Sequence, residues 1–217
     1  MKRGAIFDMD GTLVDTEKFF RDAWIETADA FGVERKPELA AAMSGSQRAV
    51  MPEILHRFHP TVDAEKYIEM VYARVDERRE TELELKSGAR EILEYFSANK
   101  IPMAVASSSK AAVVEKNLTR VDIKKYFSAI IGGDEVSVGK PAPDIFLKAA
   151  EMIDVPAEEC YIFEDSFNGL RAAAAAKGAA IFVIDCVQPT EEIRALSSGG
   201  VYENLHDALT SIRQGDI

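Results

Sequence analysis

The chain has 217 residues, 47% of them hydrophobic and 29% charged, a balance that describes a folded globular protein with a full core and argues against disorder. Its net charge of -11 and pI near 4.9 speak against nucleic acid as a main partner, because such binding rests on Lys and Arg neutralising phosphates. No run approaches the roughly 20 apolar residues of a membrane span, and the first residues carry no secretory pattern, so a reduced cytoplasmic setting is expected for Cys160 and Cys186.

In chain order, the apolar run Ala5-Ile6-Phe7 comes first and the polar stretch Asp8-Met9-Asp10-Gly11-Thr12 follows it at once. A short buried strand ending in a turn at Gly11 is the reading. From Thr16 to Leu83 the period becomes that of amphipathic helix, as in Phe19-Phe20-Ala23-Trp24-Thr27 and Tyr67-Ile68-Val71-Tyr72-Val75, with no convincing strand. Helix-like stretches at 89–99, 111–121, 144–153 and 170–177 then alternate with apolar runs at Met103-Ala104-Val105-Ala106, Ala129-Ile130-Ile131, Tyr161-Ile162-Phe163 and Ala180-Ile181-Phe182-Val183-Ile184. Gly178 is a plausible stop for the last of these helices. Alternation of this kind predicts an α/β class with buried parallel strands. A strand-helix-strand unit takes about 30 residues, so the long path from Phe7 to Met103 marks residues 16–83 as an inserted helical domain. An α/β core of residues 1–15 and 84–217 remains, with hinges expected around Val14-Asp15-Thr16 and Glu80-Thr81-Glu82. Cys160 reads as a small buried residue, and the sequon Asn117-Leu118-Thr119 as chance.

The ends of three predicted strands carry polar chemistry: Asp8 and Asp10, then Ser107, then Glu164 and Asp165. Open α/β sheets bind ligands at that edge. Asp8 as nucleophile with Asp10 moving protons would suit an aspartyl-phosphate mechanism. Taken singly, Ser107-Ser108-Ser109 also reads as a helix cap, Glu164-Asp165 as capping carboxylates and Lys140 as a solvated lysine. Taken together they supply what phosphoryl transfer needs, a shielded carboxylate and fixed donors. Magnesium takes oxygen ligands. Asp8 and Asp165 fit it as side-chain ligands, Asp10 through its carbonyl and Glu164 directly or through water, while Ser107 and Lys140 fit as phosphate donors.

These residues, Asp8-Met9-Asp10-Gly11-Thr12, Ser107, Lys140 and Glu164-Asp165, resemble the four motifs of the haloacid dehalogenase superfamily, over nearly the whole chain. The insert resembles the cap of the β-phosphoglucomutase and phosphoglycolate phosphatase branch. The resemblance implies a Rossmann-like parallel-sheet core with an α-helical cap, Asp8 as nucleophile, Asp10 as general acid/base and Mg2+ bound by Asp8, Asp10 and Asp165, with Glu164 nearby. It also implies phosphate contacts from Ser107, Ser108 and Lys140, and further binding roles for Thr12, Ser109 and Lys110. Because Asp10 is present, phosphoryl transfer is expected rather than dehalogenation.

Gly45-Ser46-Gln47-Arg48 and Ser109-Lys110 resemble the mutase, whereas Phe20 stands where the mutase has a histidine. The expected activity is therefore hydrolysis of a small phosphate monoester, a sugar or polyol phosphate, with β-phosphoglucomutase as the alternative. A receiver-like phosphoacceptor is the third reading, opposed by Asp10 and the insert. In the cap, Arg48 is the first candidate for substrate contact and Phe20 and Trp24 the next. Closure of a cap over the site suits a monomer.

Overall fold

The computed structural model describes residues 2–43, 46 and 48–217. Gly45 and Gln47 of the Gly-Ser-Gln-Arg stretch therefore lie outside the described residues. The chain divides into two compact units, an α/β unit made of the segment ending at Asp15 together with Glu84–Ile217, and a helical unit, Thr16–Leu83.

The α/β unit holds a six-stranded parallel sheet among the described residues, in the order β3-β2-β1-β4-β5-β6. Its strands are β1 (Gly4–Phe7), β2 (Met103–Ala106), β3 (Ala129–Ile131), β4 (Cys160–Glu164), β5 (Ala179–Val183) and β6 (Val201–Tyr202). In register, Phe7 of β1 lies between Val105 of β2 and Phe163 of β4. The strands are short and apolar because both faces are covered, as parallel sheets require. Alternate residues supply the two faces. On one, Phe7 stacks on Phe163 with ring centroids 4.4 Å apart, and both meet Phe96. On the other, Ile6, Ala104, Ile162 and Ala180 join a core with Ile145, Phe146, Leu170, Ala172 and Ala173.

The helices α1 (Glu17–Ala30), α2 (Pro37–Met43), α3 (Met51–Phe58) and α4 (Ala64–Glu82) belong to the helical unit. Then follow α5 (Ala89–Ala98), α6 (Ala111–Arg120), α7 (Asp144–Met152), α8 (Phe167–Ala175), α9 (Glu191–Leu196) and α10 (Leu205–Gln214) in the α/β unit. Glu80-Thr81-Glu82, where a hinge was expected, forms the last residues of α4. The chain instead re-enters at 84–86, where Val14 and Leu85 pair antiparallel, Asp15 N donates to Glu84 O at 3.0 Å and Lys86 N donates to Leu13 O at 2.9 Å.

The helical unit has its own core, built on Phe19, Trp24, Leu39, Leu55, Tyr67, Ile68, Val71 and Val75. Asp63 caps α4 by accepting from Lys66 N at 3.2 Å. Trp24 is 3% exposed and stacks on Tyr67, whose hydroxyl donates to the Trp24 carbonyl at 2.8 Å. Burial pushes that phenol up to about 12. Trp24, expected as a substrate contact, has its ring enclosed in this core. Among the described residues no helix is long and apolar enough to cross a membrane. Asn117 of the sequon is buried in α6, and Cys160 is buried while Cys186 is exposed.

Candidate active site

Strand order reverses at β1, since β2 and β3 extend the sheet to one side and β4 to β6 to the other. Ligands of open α/β sheets sit at the carboxyl ends of strands beside such a switch point. Asp8, Ser107 and Asp165 are each the first residue beyond β1, β2 and β4, and all three are buried. The sheet ladder runs one residue into this edge, with Asp8 N donating to Phe163 O at 2.9 Å and Ser107 N to Ile131 O at 3.0 Å. Backbone, not side-chain choice, therefore fixes where these groups start.

The turn after Asp8 is closed by Leu13 N and Val14 N donating to Met9 O and by Gly11 N donating to Val14 O. Gly11 sits at φ +79°, a conformation that disfavours side chains, and a Cβ there would overlap the Asp165 carboxylate. Thr12 is fully buried and donates from Oγ1 to Asp165 Oδ1 at 3.2 Å. Thr12, expected in a binding role, is thus joined to Asp165.

Lys140, from the loop before α7, joins the strand ends. Its Nζ donates to Asp8 Oδ1 and Glu164 Oε1, both at 2.5 Å, and to Ala106 O at 3.1 Å. Glu164 is fully buried, and its Oε2 accepts from Asp165 N, Ser166 N and Ser166 Oγ at 3.0 to 3.2 Å. The same Ser166 hydroxyl caps α8 by accepting from Gly169 N at 3.0 Å. Any Cβ at Gly169 would overlap the Glu164 carboxylate.

Burial pushes the Asp8 carboxyl well up from its ordinary range; Lys140 opposes this, and the charges of Glu164 and Asp10 reinforce it. Burial works against the Lys140 ammonium too, but Asp8 and Glu164 outweigh it and raise its value. Carboxylate oxygens of Asp8, Glu164 and Asp165 lie within 4.8 Å of one another. Three buried carboxylates close together, two of them paired with Lys140, form a hard, oxygen-only donor set that fits a divalent cation such as Mg2+.

Asp10 is half-buried and accepts from Ser109 Oγ at 2.9 Å. Ser107 Oγ accepts from Ser109 N at 3.1 Å, and Ser108 and Lys110 are exposed on the same loop. In the helical unit, Arg48 is exposed and paired with Glu65 at 2.6 Å, an exposed ion pair of small energetic worth. Phe20 is half-buried, edge-on to Tyr72 with centroids 5.6 Å apart, and Arg79 lies 5.5 Å from its ring centroid.

Sequence reasoning missed Lys86 and Asp185. Lys86 Nζ donates to Asp185 Oδ1 at 2.7 Å, and Asp185 Oδ2 lies 3.0 Å from where a Gly11 Cβ would stand, on the side of Asp165. Burial disfavours the Lys86 ammonium, but the hydrogen bond and charge of Asp185 raise its value overall. The signal was present: Asp185 follows an apolar strand as Asp8 and Asp165 do.

This constellation is that of a hydrolase. The haloacid dehalogenase-like hydrolase family model matches residues 2–177, and the chain belongs to that family. Among curated relatives, the phosphorylated carbohydrates phosphatase of Thermotoga maritima is 32% identical over 79% of this chain and 80% of its own. The fructose-1-phosphate phosphatase YqaB of Escherichia coli is 33% identical over 80% of this chain and 92% of its own. Among solved structures, CbbY from Rhodobacter sphaeroides in complex with phosphate is 26% identical, with a TM-score of 0.75 over 95% of this chain and 96% of its own. Membership in a family of hydrolases leaves the receiver-like reading without support.

Proposed function

We propose that this hydrolase is a Mg2+-dependent phosphatase that cleaves a small phosphate monoester, a sugar or polyol phosphate, through an aspartyl-phosphate on Asp8. The observation that carries the reading is the buried cluster of Asp8, Glu164 and Asp165 at the switch point of the sheet, with Lys140 paired to the first two. The names of the two phosphatases above support the substrate class.

In this reading an Asp8 oxygen attacks phosphorus while Asp10 gives a proton to the departing alkoxide. Water then attacks the aspartyl-phosphate and loses its proton to Asp10, restoring Asp8 and releasing phosphate. Ser107 and Lys140 donate to the phosphoryl oxygens, with Ser108 and Lys110 at the open side of the same loop. The side chains of Asp8 and Asp165 and the carbonyl of Asp10 would hold Mg2+, which would supply positive charge to the transferring group. Glu164, with both oxygens already hydrogen-bonded, holds Lys140 and the start of α8 and would add its negative charge to the cation site. Residues 16–83 serve as the substrate-selecting cap.

The test is a panel of sugar and polyol monophosphates with Mg2+, monitored for free phosphate, with β-glucose 1-phosphate also monitored for glucose 6-phosphate. Phosphate release from members of the panel is expected. Glucose 6-phosphate formed without net phosphate release would replace this reading with the mutase.

A further inference from the structure

Ser109 is fastened from three sides. Its amide donates to Ser107 Oγ at 3.1 Å, its carbonyl accepts from Gly133 N at 2.9 Å, and its hydroxyl donates to Asp10 Oδ2 at 2.9 Å. The loop has no slack at Gly132 and Gly133, since a Cβ at the first would overlap the Ala111 backbone and at the second the Ser108 carbonyl. The serine hydroxyl is thus delivered to Asp10 by backbone, across 99 positions of sequence.

A carboxylate turns easily about its terminal torsion, which is broad and two-fold. A hydroxyl donating to one oxygen of an ionised carboxylate is a strong hydrogen bond that selects one orientation. We propose that Ser109 is a positioning residue for Asp10, holding Oδ2 so that Oδ1 exchanges the proton, and that it ties this orientation to Ser107 through its own amide. The proposal rests on the proton-moving role of Asp10 given above. It differs from a substrate contact by Ser109, because the group Ser109 touches is the protein's own carboxylate.

The two roles separate in steady-state kinetics on p-nitrophenyl phosphate with Mg2+, with inorganic phosphate as competing ligand. Ser109→Ala is expected to lower kcat by about tenfold or more, the scale of a small misplacement of a reacting group, while KM and the phosphate inhibition constant stay within about twofold of wild type. Ser109→Thr, which keeps the hydroxyl, should restore most of the rate. In an Asp10→Asn background the Ser109→Ala effect should vanish, since the residue it positions is gone.

An unchanged kcat in Ser109→Ala, a weakened phosphate affinity, or losses that multiply in the double variant would each overturn the proposal, the last two in favour of a substrate contact. Near-normal turnover by Asp10→Asn would instead overturn the role of Asp10 and the proposal with it. Equal thermal unfolding midpoints for wild type and Ser109→Ala exclude a folding defect.

Discussion

The carboxyl edge of the sheet and Arg48 of the helical unit hold charge in opposite ways. At the sheet edge Asp8, Lys140, Glu164 and Asp165 are all at least nine-tenths buried, the first three bound to one another and Asp165 to the Thr12 hydroxyl. In the helical unit the cation singled out from sequence, Arg48, lies at the surface against Glu65, and of the two aromatics singled out Trp24 lies in the core and Phe20 is half-buried. Buried charge is costly unless paired, so a fold that keeps four such groups together has organised its backbone around them. Exposed charge carries no such constraint. A motif at strand ends is therefore strong evidence of chemistry, and a lone cap residue is weak evidence.

The contrast can be broken by substitution. Asp8→Asn should give the largest effect, a loss of turnover of roughly a thousandfold or more with the fold intact by circular dichroism, as removal of a nucleophile does elsewhere. Near-normal phosphate release would end its role as nucleophile. Lys140→Ala strands two buried carboxylates and should cost about 3–5 kcal/mol in urea unfolding, part of it recovered on adding Mg2+. A loss below about 1 kcal/mol would mean that the buried charges do not depend on it.

Trp24→Ala should also destabilise by about 3–5 kcal/mol through the cavity it leaves. Trp24→Phe, which keeps most of the core filled, should leave KM unchanged; a raised KM there would return Trp24 to the substrate. Arg48→Ala should change stability by less than about 1 kcal/mol and should raise KM only for substrates with a second charged group if Arg48 serves selectivity. Equal KM values for neutral and charged monoesters would reduce it to its ion pair.

The smallest effect concerns His59, buried in the helical unit, whose value is lowered by burial and by the nearby Lys36 charge. The folded state resists its protonation, so stability should fall as pH drops through the ordinary histidine value of about 6.5 and go on falling to the folded value. His59→Gln should flatten that part of the stability profile relative to wild type, and an unchanged slope would place the pH dependence elsewhere.

The same contrast explains what could be read in advance. β1, β2 and β4 were legible because strands covered on both faces are continuous apolar runs, Asp8 and Ser107 because each follows such a run at once, and Asp165 because it follows one after Glu164. β6 was not, because Val201 and Tyr202 form a two-residue, half-buried edge with no run to see. The helix of residues 64–82 hid the second hinge, since Glu80-Thr81-Glu82 looks like a solvated turn and is the end of α4. Lys86 and Asp185 stood 99 positions apart and became a pair only through the fold. The Ser109 to Asp10 bond was equally out of reach, because it depends on side-chain rotamers rather than on period or spacing.

The antiparallel pairing of Val14 with Leu85 makes the helical insert a detachable piece of the chain. Its two ends leave from neighbouring positions joined by backbone hydrogen bonds, so the α/β ladder closes the loop whatever its length, and lengthening a closed loop costs little further entropy. Inserts of different size and surface could therefore be exchanged at 15 and 84 without moving Asp8, Lys140 or Asp165. The strand ends and the insert are thus free to diverge separately, each with its own core.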